Sequence, residues 1–501
     1  MRTARLIVDP AFAVAPVNRR TFGSFVEHMG RCVYTGIYEP GHPKADEDGF
    51  RTDVLELTRE LGVTVVRYPG GNFVSGYRWE DGVGPATERP TRLDPAWRSI
   101  ESNAFGMHEF MSWAAKAGVE PMMALNLGTR GLQEAIDLLE YTNHPGGTTW
   151  SDLRRKNGAE APFDVRMWCL GNEMDGPWQL GQRTAAEYGR IAAMVGAAMR
   201  SMDSSLELVA CGSSSSDMPT FGSWEATVLQ EAYDQVDYIS AHAYYENTGD
   251  LGEFLGSAVN MDNFVRDVVA TADHVRARRR SRKRVNISFD EWNVWYQSNL
   301  PQCVPSDWTS APRVSEEAYT VADAVVVGSL LISLLRHSDR VTAACQAQLV
   351  NTISMIRTEP GGPAWRQSIF HPFAQAANLA RGTVLRVEPQ VETYETARHG
   401  DVPFVDAVAT HDEESGETVI FAVNRAQDGP VQLDVDLRAV AAGHTVEHLV
   451  LADDDVLAAN TAENTDRVRP RPHDAASLDG GRLRTTLPAV SWNVLRIRPS
   501  A

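Results

Sequence analysis

The chain of 501 residues carries 66 acidic against 47 basic side chains, a formal charge of -19, which argues against a nucleic-acid or anionic-membrane partner, since either requires a broad basic face. Hydrophobic residues at 43% and charged residues at 23% exclude a disordered or fibrous chain. The five cysteines, Cys32, Cys169, Cys211, Cys303 and Cys345, stand singly without a CxxC, which fits neither a disulfide framework nor a zinc site, and no apolar run nears the ~20 residues of a membrane span.

The opening MRTARLIVDP offers only Leu6, Ile7 and Val8 before Asp9 and Pro10, too little for a signal-peptide core, and a cytoplasmic location is expected. From residue 22 onward, apolar segments of strand length alternate with amphipathic stretches of helix length. Strands are predicted at 22–27, 64–68, 121–127, 165–173, 206–212, 238–244, 285–292 and 341–349. Helices are predicted at 48–61, 107–118, 131–141, 184–202, 224–233, 261–280, 316–336 and 367–380. Eight such units predict a (β/α)8 TIM barrel over residues 15–382. The basic run at 276–284 closes a helical pattern, where cations complement the negative end of the helix dipole, and reads as a solvated terminus. After Arg381 helical periodicity stops. Short alternating segments at 383–387, 402–410, 418–424, 431–436, 444–451, 482–487 and 491–497 predict an antiparallel, jelly-roll-like β-sandwich over 383–501, to which residues 1–14 are expected to add a strand from segment 5–14.

In such a barrel the reacting groups sit at the C-terminal ends of strands. The fourth strand ends in Asn172-Glu173 and the seventh in Asp290-Glu291, so the two glutamates can face each other across the mouth. Glycosidic hydrolysis uses one carboxylic acid to protonate the leaving oxygen and one carboxylate at the anomeric carbon. A lone glutamate at a strand end commonly just pairs with arginine or solvent; two such ends in one barrel make the chemical reading the stronger. Neighbouring residues alternate along a strand, which predicts that Asp290 points away from Glu291. The other strand ends bring Glu27, His28, Asn126, His242, Tyr244, Gln346 and Gln348, with several tryptophans nearby, the hydrogen-bonding groups and flat apolar faces of a sugar site. GxGxxG, GxSxG and HExxH are all lacking, which removes nucleotide, serine-hydrolase and zinc-protease readings.

The strings SFVEHMGRCVYTGIYEPGHP (24–43), VRYPGGNFVSGYRWEDGVGP (66–85), WCLGNEMDGPWQ (168–179), ISAHAYYEN (239–247), ISFDEWNVWY (287–296) and AQLVNTI (347–353) closely resemble the intracellular α-L-arabinofuranosidases of glycoside hydrolase family 51. The resemblance implies a retaining hydrolase that removes terminal α-L-arabinofuranosyl residues from arabinan or arabinoxylan oligosaccharides. Glu173 would be the acid/base and Glu291 the nucleophile. Glu27, Asn72, Asn172, Tyr244 and Gln348 would hold the furanose hydroxyls or orient the nucleophile, with His242 supporting them and Trp97 and Trp295 flanking the sugar. It further implies no metal or organic cofactor, and a homo-oligomer, often a hexamer, built partly through the sandwich. A β-xylosidase or endo-glucanase on the same barrel is the alternative chemistry, and a non-catalytic sugar-binding protein the alternative class.

Overall fold

Short strands buried on both faces need helices on the outside, and the solution in this computed structural model is a closed parallel barrel. The structure describes residues 2–438 and 444–499; Met1 of the predicted 1–14 segment, and residues 439–443, 500 and 501 of the predicted sandwich, lie outside the described residues. The barrel strands are β1 (Gly23–Phe25), β2 (Val65–Tyr68), β3 (Glu120–Ala124), β4 (Met167–Leu170), β5 (Glu207–Ala210), β6 (Tyr238–Tyr245), β7 (Asn286–Val294) and β8 (Val341–Ala347). Strand β8 pairs with β1 and closes the ring. Phe25, Met122, Met167, Cys169, Val209 and Cys345 fill the interior. Their strand neighbours Val66, Met123, Trp168, Leu208 and Ile239 point outward, into the layer shared with the helices.

The outer ring comprises α1 (Thr52–Leu61), α2 (Met107–Ala117), α3 (Leu132–Asn143), α4 (Thr149–Lys156), α5 (Ala185–Met202), α6 (Ser223–Ala232), α7 (Leu251–Leu255), α8 (Ala258–Arg279), α9 (Leu300–Cys303), α10 (Val321–Arg336) and α11 (Phe370–Leu379). Helix α10 starts at Val321 and not at the predicted 316, because Thr320 caps it: its hydroxyl accepts from the Asp323 N–H while the Asp323 carboxylate accepts from the Thr320 N–H at 2.6 Å. The short α4, α7 and α9 fall outside the predicted helices. No helix among the described residues is long and apolar enough to cross a membrane.

Beyond α11 the chain builds two sheets. One runs, in order, Ala13–Pro16, Thr383–Leu385, Val405–His411, Thr418–Asn424, Ser491–Pro499, His444–Leu451 and Arg471–Pro472; the other runs Arg2–Val8, Val431–Leu437, Arg482–Leu487 and Ser477–Asp479. Three expectations are corrected here. The segment predicted as one strand at 5–14 is two strands in different sheets, since the turn at Asp9-Pro10 breaks it. Arg2–Val8 runs parallel to Val431–Leu437, so the sandwich is not wholly antiparallel. The predicted strand at 402–410 is divided: Gly400–Pro403 folds back on Thr393–Thr396 as a separate hairpin, and only Val405–His411 enters the large sheet.

The inner faces of the two sheets share a core of Leu6, Val8, Ala407, Ile420, Leu433 and Leu495. The opposite face of the large sheet offers Val408, Phe421, Trp492 and Val494 to the barrel's own core. There it meets α10, which is buried on every side from Val321 to Leu335, as an apolar helix without a polar face must be. Gly328 makes room for the Trp492 ring: a Cβ at that position would stand 2.4 Å from Trp492 Cε3. Arg425 donates to Ser329 Oγ at 3.0 Å and to Asp406 Oδ2 at 3.1 Å, and Arg336 pairs with Asp262 and Asp406, so the charges at this seam are matched.

Candidate active site

Between β6 and β7 the register slips: Ser240 lies opposite Ser288, but His242 lies opposite Glu291. The extra residue on β7 is a β-bulge, and it turns two consecutive side chains inward. Asp290 therefore does not point away from Glu291 as alternation predicts. Its Oδ1 accepts from His242 Nε2 at 2.8 Å, and its Oδ2 faces Ser288 Oγ at 3.2 Å and Cys169 Sγ at 3.7 Å inside the barrel. After β4, the chain leaves through Gly171 at φ 95° and Glu173 at φ 43°; the second is a conformation a non-glycine residue adopts only at a cost. These two turns aim the Glu173 carboxyl at Glu291.

Both glutamates are fully engaged. Glu173 Oε1 faces His242 Nδ1 at 2.9 Å and its Oε2 accepts from Trp178 Nε1 at 2.6 Å. Glu291 Oε1 accepts from Arg67 Nη1 at 2.7 Å and its Oε2 accepts from the Tyr244 hydroxyl at 2.7 Å. One carboxylate oxygen from each glutamate and a His242 nitrogen lie within 4.8 Å of one another. Arg67 also donates to Asn172 Oδ1 at 2.6 Å, locking the residue before Glu173 to the partner of Glu291. On the β1 side, Glu27 Oε1 accepts from the Phe73 N–H and from Trp97 Nε1, both at 3.0 Å, and its Oε2 faces Gln348 Nε2 at 3.3 Å. Trp295 is anchored by Ser315 Oγ at 3.0 Å and meets the Tyr244 ring edge-on at 4.9 Å.

Burial pushes the Glu27 carboxyl up to about 8, reinforced by the charge of Glu291 and opposed by the two N–H donors. Burial also pushes Glu291 upward, and the charge of Glu173 adds to it, against the pull of His242, Arg67 and Tyr244. Burial alone would hold Asp290 neutral, yet Arg67 and His242 keep it below the usual carboxylate range. For His242 burial favours the neutral ring, but Glu291, Asp290 and Glu173 outweigh it and raise the imidazole to about 10. The spacing of Glu173, His242 and Glu291 would suit a metal ion. Both His242 nitrogens already face carboxyl oxygens, Glu173 Oε1 at 2.9 Å and Asp290 Oδ1 at 2.8 Å, so an ion there would have to displace these contacts.

The cavity above these groups measures about 480 Å³. Eight of the sequence-predicted residues line it: Glu27, Asn72, Trp97, Glu173, Tyr244, Glu291, Trp295 and Gln348. Asn172 and His242 are not on its wall; they lie behind it, 1% and 2% exposed, and hold the carboxyls in place. Sequence reasoning places Arg67 and Trp178 near strand ends without giving either a role, and it misses the inward turn of Asp290. Arg67 was readable as the one cation on a barrel strand next to a Gly-Gly turn; Trp178 follows GNE by only five residues.

A (β/α)8 barrel whose fourth and seventh strands present carboxyls this close at the foot of a polar, aromatic cavity defines a glycoside hydrolase. Residues 57–266 match the family profile described as alpha-L-arabinofuranosidase 1 domain, and residues 290–491 that of the alpha-L-arabinofuranosidase C-terminal domain. An intracellular exo-α-(1→5)-L-arabinofuranosidase of Streptomyces lividans is 58% identical over 99% of this chain and 75% of its own length. An exo-α-(1→6)-L-arabinofuranosidase of Bifidobacterium longum is 54% identical over 99% of this chain and 98% of its own. The solved structure of a family 51 α-L-arabinofuranosidase from Bifidobacterium longum superposes with a TM-score of 0.95 at 48% identity, covering 99% of this chain and 100% of that one. The chain belongs to the α-L-arabinofuranosidases of glycoside hydrolase family 51.

Proposed function

We propose that this chain removes terminal non-reducing α-L-arabinofuranosyl residues from arabinan and arabinoxylan oligosaccharides by double displacement, with Glu291 as nucleophile and Glu173 as acid/base. The observation that carries this is the approach of the two carboxyls to within 4.8 Å. With one oxygen of each carboxyl that near the other, the pair suits the spacing of about 5–5.5 Å of a double displacement and not the roughly 6.5–9.5 Å by which an inverting enzyme admits its water. Arg67 and Tyr244 each hold one oxygen of Glu291, which orients the carboxylate for attack. Glu291 attacks the anomeric carbon as Glu173 gives its proton to the departing oxygen. Ionised Glu173 then stands beside a neutral ester and draws a proton from water, whose attack releases L-arabinose with its configuration kept. Glu27, Asn72, Gln348 and Tyr244 supply hydrogen bonds to the furanose, Asn172 and His242 position the carboxyls, and Trp97 and Trp295 flank the ring.

The reading extends to the rest of the molecule. The chain divides into a catalytic barrel, 15–382, and a sandwich, 383–501, joined by residues 1–14. It acts in the cytoplasm on short imported fragments, supported by relatives whose names carry the word intracellular, and it assembles as a homo-oligomer, which sedimentation would measure.

The deciding experiment compares p-nitrophenyl α-L-arabinofuranoside with the β-D-xyloside. Faster arabinoside turnover is expected, and equal or faster xyloside turnover defeats the assignment. With the arabinoside, Glu291→Ala lowers kcat by roughly 10⁴-fold or more and Glu173→Ala by roughly 10²- to 10⁴-fold. Azide restores both variants by different routes: the Glu173 variant yields the α-azide after two inversions, the Glu291 variant the β-azide after one. Exchanged products would reverse the two roles.

A further inference from the structure

A second cavity, of about 280 Å³, opens beside the first over the ends of β5, β6 and β7. The two share Ser215, Tyr244, Trp295 and Gln297 as a common wall. The first cavity, which Glu173 lines, meets the second at Ser215, so a unit attached to the oxygen that Glu173 protonates in the proposed reading has the second cavity open to it.

The second cavity is a built surface. The Tyr245 hydroxyl donates to Asn260 Oδ1 at 3.0 Å, and Asn260 Nδ2 donates to Ser216 Oγ at 3.1 Å, so three polar groups of its floor are fixed by one another. Its far wall comes from the sandwich: Arg398 and His399 occupy the turn of the hairpin Thr393–Thr396 and Gly400–Pro403. That hairpin is tied to the barrel rim at three points. Tyr394 donates to the Gly252 carbonyl at 2.9 Å, the Arg398 N–H to Glu253 Oε2 at 3.3 Å, and the Arg398 guanidinium to Asp217 Oδ2 at 3.3 Å.

The lining chemistry identifies the occupant. Hydroxyls and amides of Ser216, Thr248, Asn260 and Gln297 alternate with the faces of Tyr245 and Trp295, which suits a polyhydroxylated ring. Asp217, Glu246 and Glu253 outnumber the single cation Arg398, so a uronate would be repelled and a neutral glycosyl unit accepted. We propose that this side cavity is an accessory subsite for neutral glycosyl units beyond the scissile bond, and that the sandwich, through Arg398, makes the enzyme select longer oligosaccharides. The proposal rests on the arabinofuranosidase reading and adds to it where the rest of the substrate lies.

The test measures kcat/KM of the full chain on α-1,5-linked arabinobiose, α-1,5-linked arabinotetraose and p-nitrophenyl α-L-arabinofuranoside, for wild type, Arg398→Ala and Thr248→Trp. The first variant removes the far wall's cation; the second fills the cavity from an exposed loop position. Wild type is expected to favour the tetraose over the biose by about fivefold or more, the worth of one or two net hydrogen bonds. Both variants lose that ratio through a higher KM for the tetraose, while the aryl arabinoside stays within about twofold of wild type. A tetraose-to-biose ratio unchanged in both variants, or an active wild type without length preference, overturns the subsite alone. So does a wild-type preference for uronate-bearing oligosaccharides that Arg398→Ala abolishes, since the ligand would then be acidic. A wild type inert on the aryl arabinoside overturns the functional reading and the subsite with it.

Discussion

His242 touches Glu173, Asp290 and Glu291 and carries the proton that keeps three carboxyls tolerable in one buried place. Its raised pKa of about 10 has a signed consequence for stability. In the unfolded chain the ring titrates near 6.5, so the folded state holds the extra proton between about 6.5 and 10. The contribution is complete below the lower value and is lost as pH rises through the upper one. The melting temperatures of wild type and His242→Gln should therefore lie far apart at pH 6 and converge by pH 10; a constant gap would mean that His242 is neutral in the fold. The same substitution takes a cation away from Glu291, making it harder to ionise, so the acid limb of kcat/KM should move up by about one pH unit or more. Arg67 gives a second residue-scale expectation. Arg67→Met strands Glu291 beside a missing partner and should cost about 3–5 kcal/mol in denaturant titration. Arg67→Lys keeps the charge but cannot span Glu291 and Asn172 with one planar fork, so it should lose kcat at smaller cost to stability.

At the level of elements, the tightest fit is between α10 and the last long strand, where Gly328 faces Trp492. Gly328→Ala gains about 1 kcal/mol of helix propensity and loses about 1–3 kcal/mol to overpacking, so calorimetry should find a net loss, and Trp492→Leu in the same chain should recover part of it. Elements also show how far the residues alone disclose the site. All eight barrel strands were legible because strand-length apolar runs alternate with helix-length amphipathic ones, and Glu173 and Glu291 stood out as acids ending such runs. Asp290 was misplaced because a bulge depends on the pairing of β7 with its neighbours, which period-two alternation does not encode. Arg67 stood out only as a polar residue near a strand end, since its role lies in partners more than a hundred positions away. The polar α4 escaped because its apolar stripe is only Trp150 and Leu153, and buried Arg154 anchors it through the carbonyls of Tyr141, His144 and Pro145, partners that periodicity does not reveal. Pro403, inside what read as one continuous strand, was the overlooked sign of the Thr393–Thr396 hairpin that carries the second cavity's far wall.

For the whole molecule, the seam between barrel and sandwich has the character of a core, with α10 buried on all sides and Trp492 and Phe421 sharing the barrel's cluster. Scanning calorimetry should give a single endotherm, and a chain ending at residue 382 should aggregate because it bares the apolar face of α10. Two resolved transitions would show that the parts unfold independently. The strand Arg2–Val8 has its partner in Val431–Leu437, with the entire barrel threaded between them. A ribosome must therefore deliver all eight barrel strands before Arg2–Val8 can meet its main partner, so the small sheet closes late and α10 stays bare until the sandwich strands that cover it have been made.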